Sequence, residues 1–223
     1  MKHLLLLFIL LLCFNTSGTS QSMGKSRFAI GRVHYRGGGD WYGNKTSLRN
    51  MLKFFTTTTG LPTSDDEVEI KLNESFFFNY PLLYIAGHGN VSFTDHEAKN
   101  LRNYLINGGF LFADDDYGMD KYFRSSMKKV FPELEFIEIP FTDQLFKKPF
   151  LFNSGAPKIH EHDGGPAKVF GLYYNSRLIC IYTFNTDISD GCEDEGIHDD
   201  SSETKLQALR FSANIIMRIL TAN

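Results

Sequence analysis

The stretch YPLLYIAGHGNVSFTDHEAKNLRNYLINGGFLFADDD, Tyr80 to Asp116, decides the fold. It opens on a near-continuous apolar run, Leu82 to Ala86, the composition of a strand buried on both faces. Thr94 and Glu97 stand at the spacing of a capping box. Behind them Ala98, Leu101 and Leu105 share one face of a helix, with Tyr104 beside them. Asn107-Gly108-Gly109 stops that helix, and FLFA, Phe110 to Ala113, begins a second buried strand. Three aspartates follow it directly.

The same alternation runs outward in both directions. Upstream, RFAIGRVHY (Arg27 to Tyr35) reads as a first strand, followed by the Gly-rich loop RGGGDWYGN. Leu48, Met51, Leu52 and Phe55 mark a helix that Thr46 or Ser47 can cap and Gly60-Leu61-Pro62 ends. EVEIKL, Glu67 to Leu72, is a short strand. Downstream, Met119, Tyr122, Phe123, Met127 and Val130 suit a helix closed before Pro132, and LEFIEIP a strand centred on Phe136 to Ile139. Residues 141–168 are irregular, an insertion or flap. KVFGLYYNSRLICIYTFN is a hairpin turning at Asn175-Ser176. Asp200 and Glu203 cap a long helix carrying Leu206, Leu209, Ala213, Ile216 and Leu220 on one side. This order predicts an α/β fold: a mainly parallel sheet flanked by helices, with a C-terminal hairpin and helix. No repeat or linker divides it.

The net charge of −3 and the absence of a basic stripe exclude a nucleic-acid partner. Leu4 to Phe14 is an apolar run behind Met1-Lys2-His3, followed by small polar residues with Gly18 and Ser20 placed for cleavage before Gln21. That is the layout of a secretory signal peptide, and a retained anchor is the alternative. We therefore expect residues 1–20 as signal peptide and 21–223 as a single α/β domain. The protein would meet the membrane only during export and end in the periplasm or outside the cell. The remaining cysteines, Cys180 and Cys192, would pair only if a strand interior reached a loop. Asp190, Glu193, Asp194 and Glu195 make Cys192 a poor catalytic thiol.

In open α/β sheets, ligands bind beyond the carboxyl ends of the strands. The first strand delivers His34, Tyr35 and the GGGDW loop there, with Gly38 and Trp41 as ligand contacts. The strand Leu82 to Ala86 delivers Gly87 and His88, and the hairpin delivers Asn185, Asp187 and Asp190. Trp41 could present a platform for a sugar ring. The triple glycine lacks both the dinucleotide fingerprint and the Lys-Ser/Thr of a phosphate loop. In HEHD, His160 and His162 at i, i+2 would point to one side of an extended segment, as metal ligands do. Spacing identifies no third ligand.

The aspartates sit at the centre of this edge. Along an extended chain Asp114 and Asp116 share a face and Asp115 opposes them. Asp116 is the natural cap for the helix that follows. Asp115 and Asp116 are candidate ligand contacts. For Asp114 and Asp115 two readings stand, a solvated strand end and a working site. A divalent cation, with Asp114 and Asp116 as candidate ligands, would explain clustered carboxylates. So would a proton shared between two of them. The cofactor is otherwise unspecified.

The segments VHYRGGGDW, YPLLYIAGHG, LRNYLINGGFLFADDD, VFPE and GLYYNSRLICIYTFNTDISDG resemble the bacterial domain of unknown function 4159 family, over roughly residues 27–220. The resemblance implies a class I glutamine amidotransferase-like, flavodoxin-like fold and brings no activity with it. In amidotransferases of that fold a cysteine sits on a sharp turn after a central strand, with a histidine and an acidic residue later. Here the matching turn, FLFADDDYG, has no cysteine, and FNTDISDG has no histidine, so thiol-based glutamine hydrolysis is disfavoured.

Two functions compete. One is an exported module that keeps the crevice without the nucleophile and binds a small polar ligand, a glycan or a protein. The alternative is a hydrolase, metal-assisted or not, with His88, Asp114, Asp115 and Asp187 as its candidate catalytic groups.

Overall fold

The computed structural model describes residues 28–64, 67–162 and 164–222. The expected signal peptide lies outside them. The elements in order are β1 (Ile30–Val33), α1 (Ser47–Thr59), β2 (Val68–Ile70), β3 (Leu82–His88), α2 (Asp95–Ile106) and β4 (Phe110–Tyr117). Then come α3 (Asp120–Val130), β5 (Ile137–Glu138), β6 (Lys168–Tyr174), β7 (Arg177–Phe184), α4 (Ile188–Gly191) and α5 (Ser202–Leu220). They build one seven-stranded sheet in the order β2-β1-β3-β4-β7-β6-β5. The first five strands of that order are parallel; β6 pairs antiparallel with β7, and β5 pairs antiparallel with β6 at the edge. The sheet is thus mostly parallel, as the alternation of elements predicts.

The central strands are apolar on both faces because helices cover both. Leu82, Tyr84, Phe110 and Phe112 belong to the core beneath α1 and α5, and Leu83, Ile85, Leu111 and Ala113 to the core beneath α2 and α3. Each large side chain so buried contributes about 1.5–3 kcal/mol. Cys180 lies in the second core and Cys192 in the first. The sheet therefore separates them, and both are free thiols.

Helix ends hold two departures from the sequence reading. The capping box of α2 is present, with Thr94 and Glu97 exchanging hydrogen bonds. At α1, however, neither Thr46 nor Ser47 caps the helix through its side chain. Glu193, far along the chain, accepts from the Thr46 and Ser47 N–H groups at 2.8 and 3.0 Å. A remote carboxylate satisfies orphan donors as well as a local one does. On α5 the cap is Ser201, not Asp200 or Glu203. Of the expected face of that helix, Ala213 and Ile216 are buried, Leu206 and Leu209 half-buried and Leu220 exposed; Ala208, Phe211, Ser212 and Ile215 are buried beside them. The segment before β6 covers that side: Phe146 and Phe152 pack on Phe211, and Asn214 donates to the Leu145 and Phe150 carbonyls.

The strand expected around Phe136 to Ile139 shrinks to two edge residues. In contrast, β4 does not stop at Ala113. It continues through the aspartates because both neighbours pair with it there, Ala86 and Gly87 of β3 opposite Asp114 and Asp115, and Thr183 of β7 opposite Asp114.

Candidate functional site

The site is built around the turn after β7. Asn185 and Asp187 both adopt left-handed backbone, φ 58° and 54°, a conformation that Asn and Asp tolerate better than other side chains. Two such residues swing the chain sharply from β7 into α4. That short helix lies against α5 so closely that a Cβ on Gly191 would stand 2.6 Å from the Ala208 Cβ. Only glycine fits there. The irregular segment is then laid alongside this turn by the Ile159 N–H, which donates to the Thr186 carbonyl at 2.8 Å.

That placement brings together groups distant in sequence. His160 Nδ1 stands 3.2 Å from Asp187 Oδ2 and 3.3 Å from Asp190 Oδ2, while its Nε2 is 3.1 Å from Asp200 Oδ1. His162 Nε2 lies 2.5 Å from Asp187 Oδ2, so the two histidines do point to one side. The His198 ring is 5.2 Å from that of His160, and its Nε2 is 3.9 Å from Asp190 Oδ2. Asp187 and Asp190 are buried, at 1% and 5% exposure. One oxygen of each, together with Asp200 Oδ2 and Asp116 Oδ1, is buried with no hydrogen-bond partner among the described residues. Buried carboxylate oxygens are normally satisfied, and leaving them bare is costly. Burial, then the charges of Asp114, Asp190 and Asp115, pushes the Asp187 carboxyl up to about 9. Burial, with Asp114, Asp190, Asp187 and Asp40 nearby, holds Asp116 well above the usual carboxylate range.

The three aspartates divide as strand alternation requires, but their roles differ from the expectation. Asp114 is fully engaged. Thr183 and Thr186 donate to one oxygen, and Ser189 donates its N–H and hydroxyl to the other. It has no oxygen left for a cation and acts as a structural pin. Asp115, on the opposite face, accepts from the Met119 N–H at 2.8 Å and the Tyr182 hydroxyl at 3.1 Å. Asp115 therefore does the capping at the start of α3 that was expected of Asp116. A carboxylate reaching forward needs the α2–α3 face, which only Asp115 has. Asp116 takes one bond from the Asn44 amide at 2.8 Å and keeps one oxygen bare.

A crevice of about 550 Å³ opens at these strand ends, lined by Asp115, Asp116, Asn185 and Asp187 among the expected residues, and by Tyr117, His162, Lys121 and Lys168. The groups from the first strands are not part of its lining. His34 stacks on Trp41 at 3.9 Å and bonds Glu69, so one face of Trp41 is already covered. Tyr35 is buried and donates to the Ala86 carbonyl. His88 is held by Asp40, which accepts from its N–H at 2.5 Å and lies 3.0 Å from its Nδ1. Gly87 makes this possible: its φ is 133°, and a Cβ would sit 2.7 Å from Asp40 Oδ1. Gly38, φ 91°, faces open space. His88 and the three aspartates are thus partnered separately, so the catalytic group His88–Asp114–Asp115–Asp187 does not assemble by direct contact.

Sequence reasoning gave His198 no role, read Asp200 only as a helix cap and Glu193 only as a neighbour of Cys192, and did not join Asp190 to the histidines. The available signal was Asp187 and Asp190, two carboxylates three residues apart at the end of the hairpin strand.

The family described as "Domain of unknown function (DUF4159)" matches residues 29–220. No curated protein matches the chain.

Proposed function

The chain belongs to the DUF4159 family, and we propose that it is an exported module that binds a small sugar-bearing ligand in the crevice at the strand ends. The observation that carries this reading is the lining. The crevice is lined by the Tyr117 ring, 46% exposed and with the His162 ring 4.6 Å away, by the Asp115, Asp116 and Asp187 carboxylates, the Asn185 amide and the Lys121 and Lys168 ammonium groups. A sugar lays its C–H face on an aromatic ring and gives its hydroxyls to carboxylates and amides.

The strand order β2-β1-β3-β4-β7 supports a flavodoxin-like, amidotransferase-like architecture, in which ligands sit at this edge. Thiol chemistry is not part of the reading, since Cys180 and Cys192 are both sealed in the cores. Export rests on the Leu4 to Phe14 run and the small residues before Gln21. It predicts a mature N-terminus near Gln21 by intact mass, with the protein in the periplasm or medium.

The binding test is a panel of glycans and free sugars against the purified chain by calorimetry. Binding by at least one member, weakened tenfold or more by Tyr117→Ala and by Asn185→Ala, is the expected result. Silence across the panel, or equal binding by both variants, would overturn the reading. A hydrolytic second reading is favoured by one observation: His162 and Asp187 line the crevice and also belong to the histidine–carboxylate cluster.

A further inference from the structure

We propose that this cluster is a metal centre for one divalent first-row transition ion of the zinc type, held by His160, His162 and Asp187, with Asp190 beside them at the same His160 nitrogen. A tetrahedral ion with bonds of about 2.0 Å needs ligand atoms about 3.3 Å apart. His160 Nδ1 stands 3.2 and 3.3 Å from the Asp187 and Asp190 oxygens, and the ligand atoms of His160, His162 and Asp187 lie within 4.8 Å of one another; the 2.5 Å between His162 Nε2 and Asp187 Oδ2 is a hydrogen-bond distance that a bound ion would open by about 0.8 Å.

The second observation is the set of bare oxygens. Asp187 Oδ1 and Asp190 Oδ1 are buried and unpartnered among the described residues, so histidine contacts alone leave each carboxylate half-satisfied. The histidines stand at the Oδ2 atoms, so a cation would satisfy these carboxylates by engaging Oδ1 or both oxygens.

The third is Asp200. Its carboxylate stands 3.1 Å from His160 Nε2, and a ring N–H given to it would free the Nδ1 lone pair for an ion. A carboxylate behind a ligating histidine is the usual outer support of a metal site.

The donor set decides the class of ion. Two imidazoles and a carboxylate, without thiolate, suit Zn²⁺ and its neighbours, whereas Ca²⁺ and Mg²⁺ call for oxygen ligands throughout. Because Asp187 and His162 line the crevice, the ion would face whatever the crevice binds. The proposal does not rest on the sugar reading, and its test uses metal alone, so the two fail separately.

The test is elemental analysis of the full chain, then chelator stripping and titration with Zn²⁺, Mn²⁺, Mg²⁺ and Ca²⁺. We expect a single equivalent of Zn²⁺ to bind, to raise the melting temperature, and to show a nitrogen/oxygen-only X-ray absorption shell near about 2.0 Å. Asp187→Asn and His160→Gln should each weaken Zn²⁺ at least 100-fold, and Asp200→Asn about 10- to 100-fold. His96→Gln, on the exposed side of α2, should change nothing. Variants are compared by the melting shift that Zn²⁺ produces in each stripped protein, which separates lost binding from lost folding. No bound ion and no melting shift would overturn the proposal. So would sulfur in the shell, a preference for Ca²⁺ or Mg²⁺, or unaltered Zn²⁺ binding by His160→Gln.

Discussion

Ser189 donates both its backbone N–H, at 2.7 Å, and its hydroxyl, at 2.5 Å, to the same carboxylate oxygen of Asp114. Thr183 and Thr186 occupy the other oxygen. Four donors from the β7–α4 turn thus converge on one buried group of β4, and that convergence fixes where Asp187 and Asp190 stand. Asparagine keeps one acceptor oxygen and replaces the other with a donor, so at least two bonds fail. Asp114→Asn should cost about 1–3 kcal/mol and Asp114→Ala about 3–5 kcal/mol. Urea unfolding reads this as a lower midpoint with an unchanged slope. An Asp114→Asn midpoint equal to wild type would mean that the carboxylate is not the pin.

The two thiols offer a prediction about reactivity. Cys180 and Cys192 are 0% and 1% exposed and lie on opposite faces of the sheet. Burial pushes both thiols up, far from the thiolate that reacts. Native protein should therefore take up neither iodoacetamide nor a chromogenic disulfide within hours, and unfolded protein should take up both at once. Intact mass should be the same with and without reductant. Rapid labelling of either cysteine in native protein would contradict this packing.

The legible parts of the fold were those whose cause is local. Leu82 to Ala86 and Phe110 to Ala113 declare buried strands by composition, Thr94 and Glu97 declare a helix start, and Asn175-Ser176 declares a hairpin turn. The strand-end edge followed from their order. The parts that depend on distant residues were not legible. Nothing near Thr46 reveals that Glu193 caps α1, and nothing near Asp114 reveals that Ser189 will satisfy it. His160 and His162 carried the right spacing, but their carboxylate partners arrive from another turn through the Ile159 to Thr186 bond. Asp115 and Asp116 exchanged roles because strand alternation says which residues share a face, not which face the following helix occupies.

Asp115 gives a pH dependence with a definite sign. Burial raises its carboxyl from 3.8 to about 6, with Asp114 and Asp120 adding to the rise and the Met119 N–H and Tyr182 hydroxyl opposing it. The folded state therefore holds this proton more tightly than the unfolded chain does. Its contribution to stability is fully present below about pH 4 and is lost as the pH rises through about 6. Asparagine has no proton to lose. The stability of wild type relative to Asp115→Asn should fall by on the order of 3 kcal/mol from about pH 4 to pH 7, then stay level. Unfolding midpoints across that range test it. A difference that is constant with pH would show that Asp115 keeps an ordinary carboxylate pKa.

The last prediction concerns Gly191, where packing and site geometry meet. A methyl group there would stand 2.6 Å from the Ala208 Cβ and 2.9 Å from Ile159 Cγ2. Both neighbours matter: Ala208 belongs to the buried side of α5, and Ile159 directly precedes His160. Neither is the free end of a flexible chain, so α4 itself must move, carrying Asp187 and Asp190 away from His160. Gly191→Ala should lose about 1–3 kcal/mol by overpacking, although alanine is otherwise the better helix former. Ala208→Gly alone should cost about 1 kcal/mol in the helix interior. Combined, the two should be less destabilising than their sum, because the second removes the atom that the first strikes. A double-mutant cycle by thermal or urea unfolding measures that coupling. Simple additivity would place the obstruction at Ile159, and a Gly191→Ala protein as stable as wild type would mean that α4 and α5 are not in close contact.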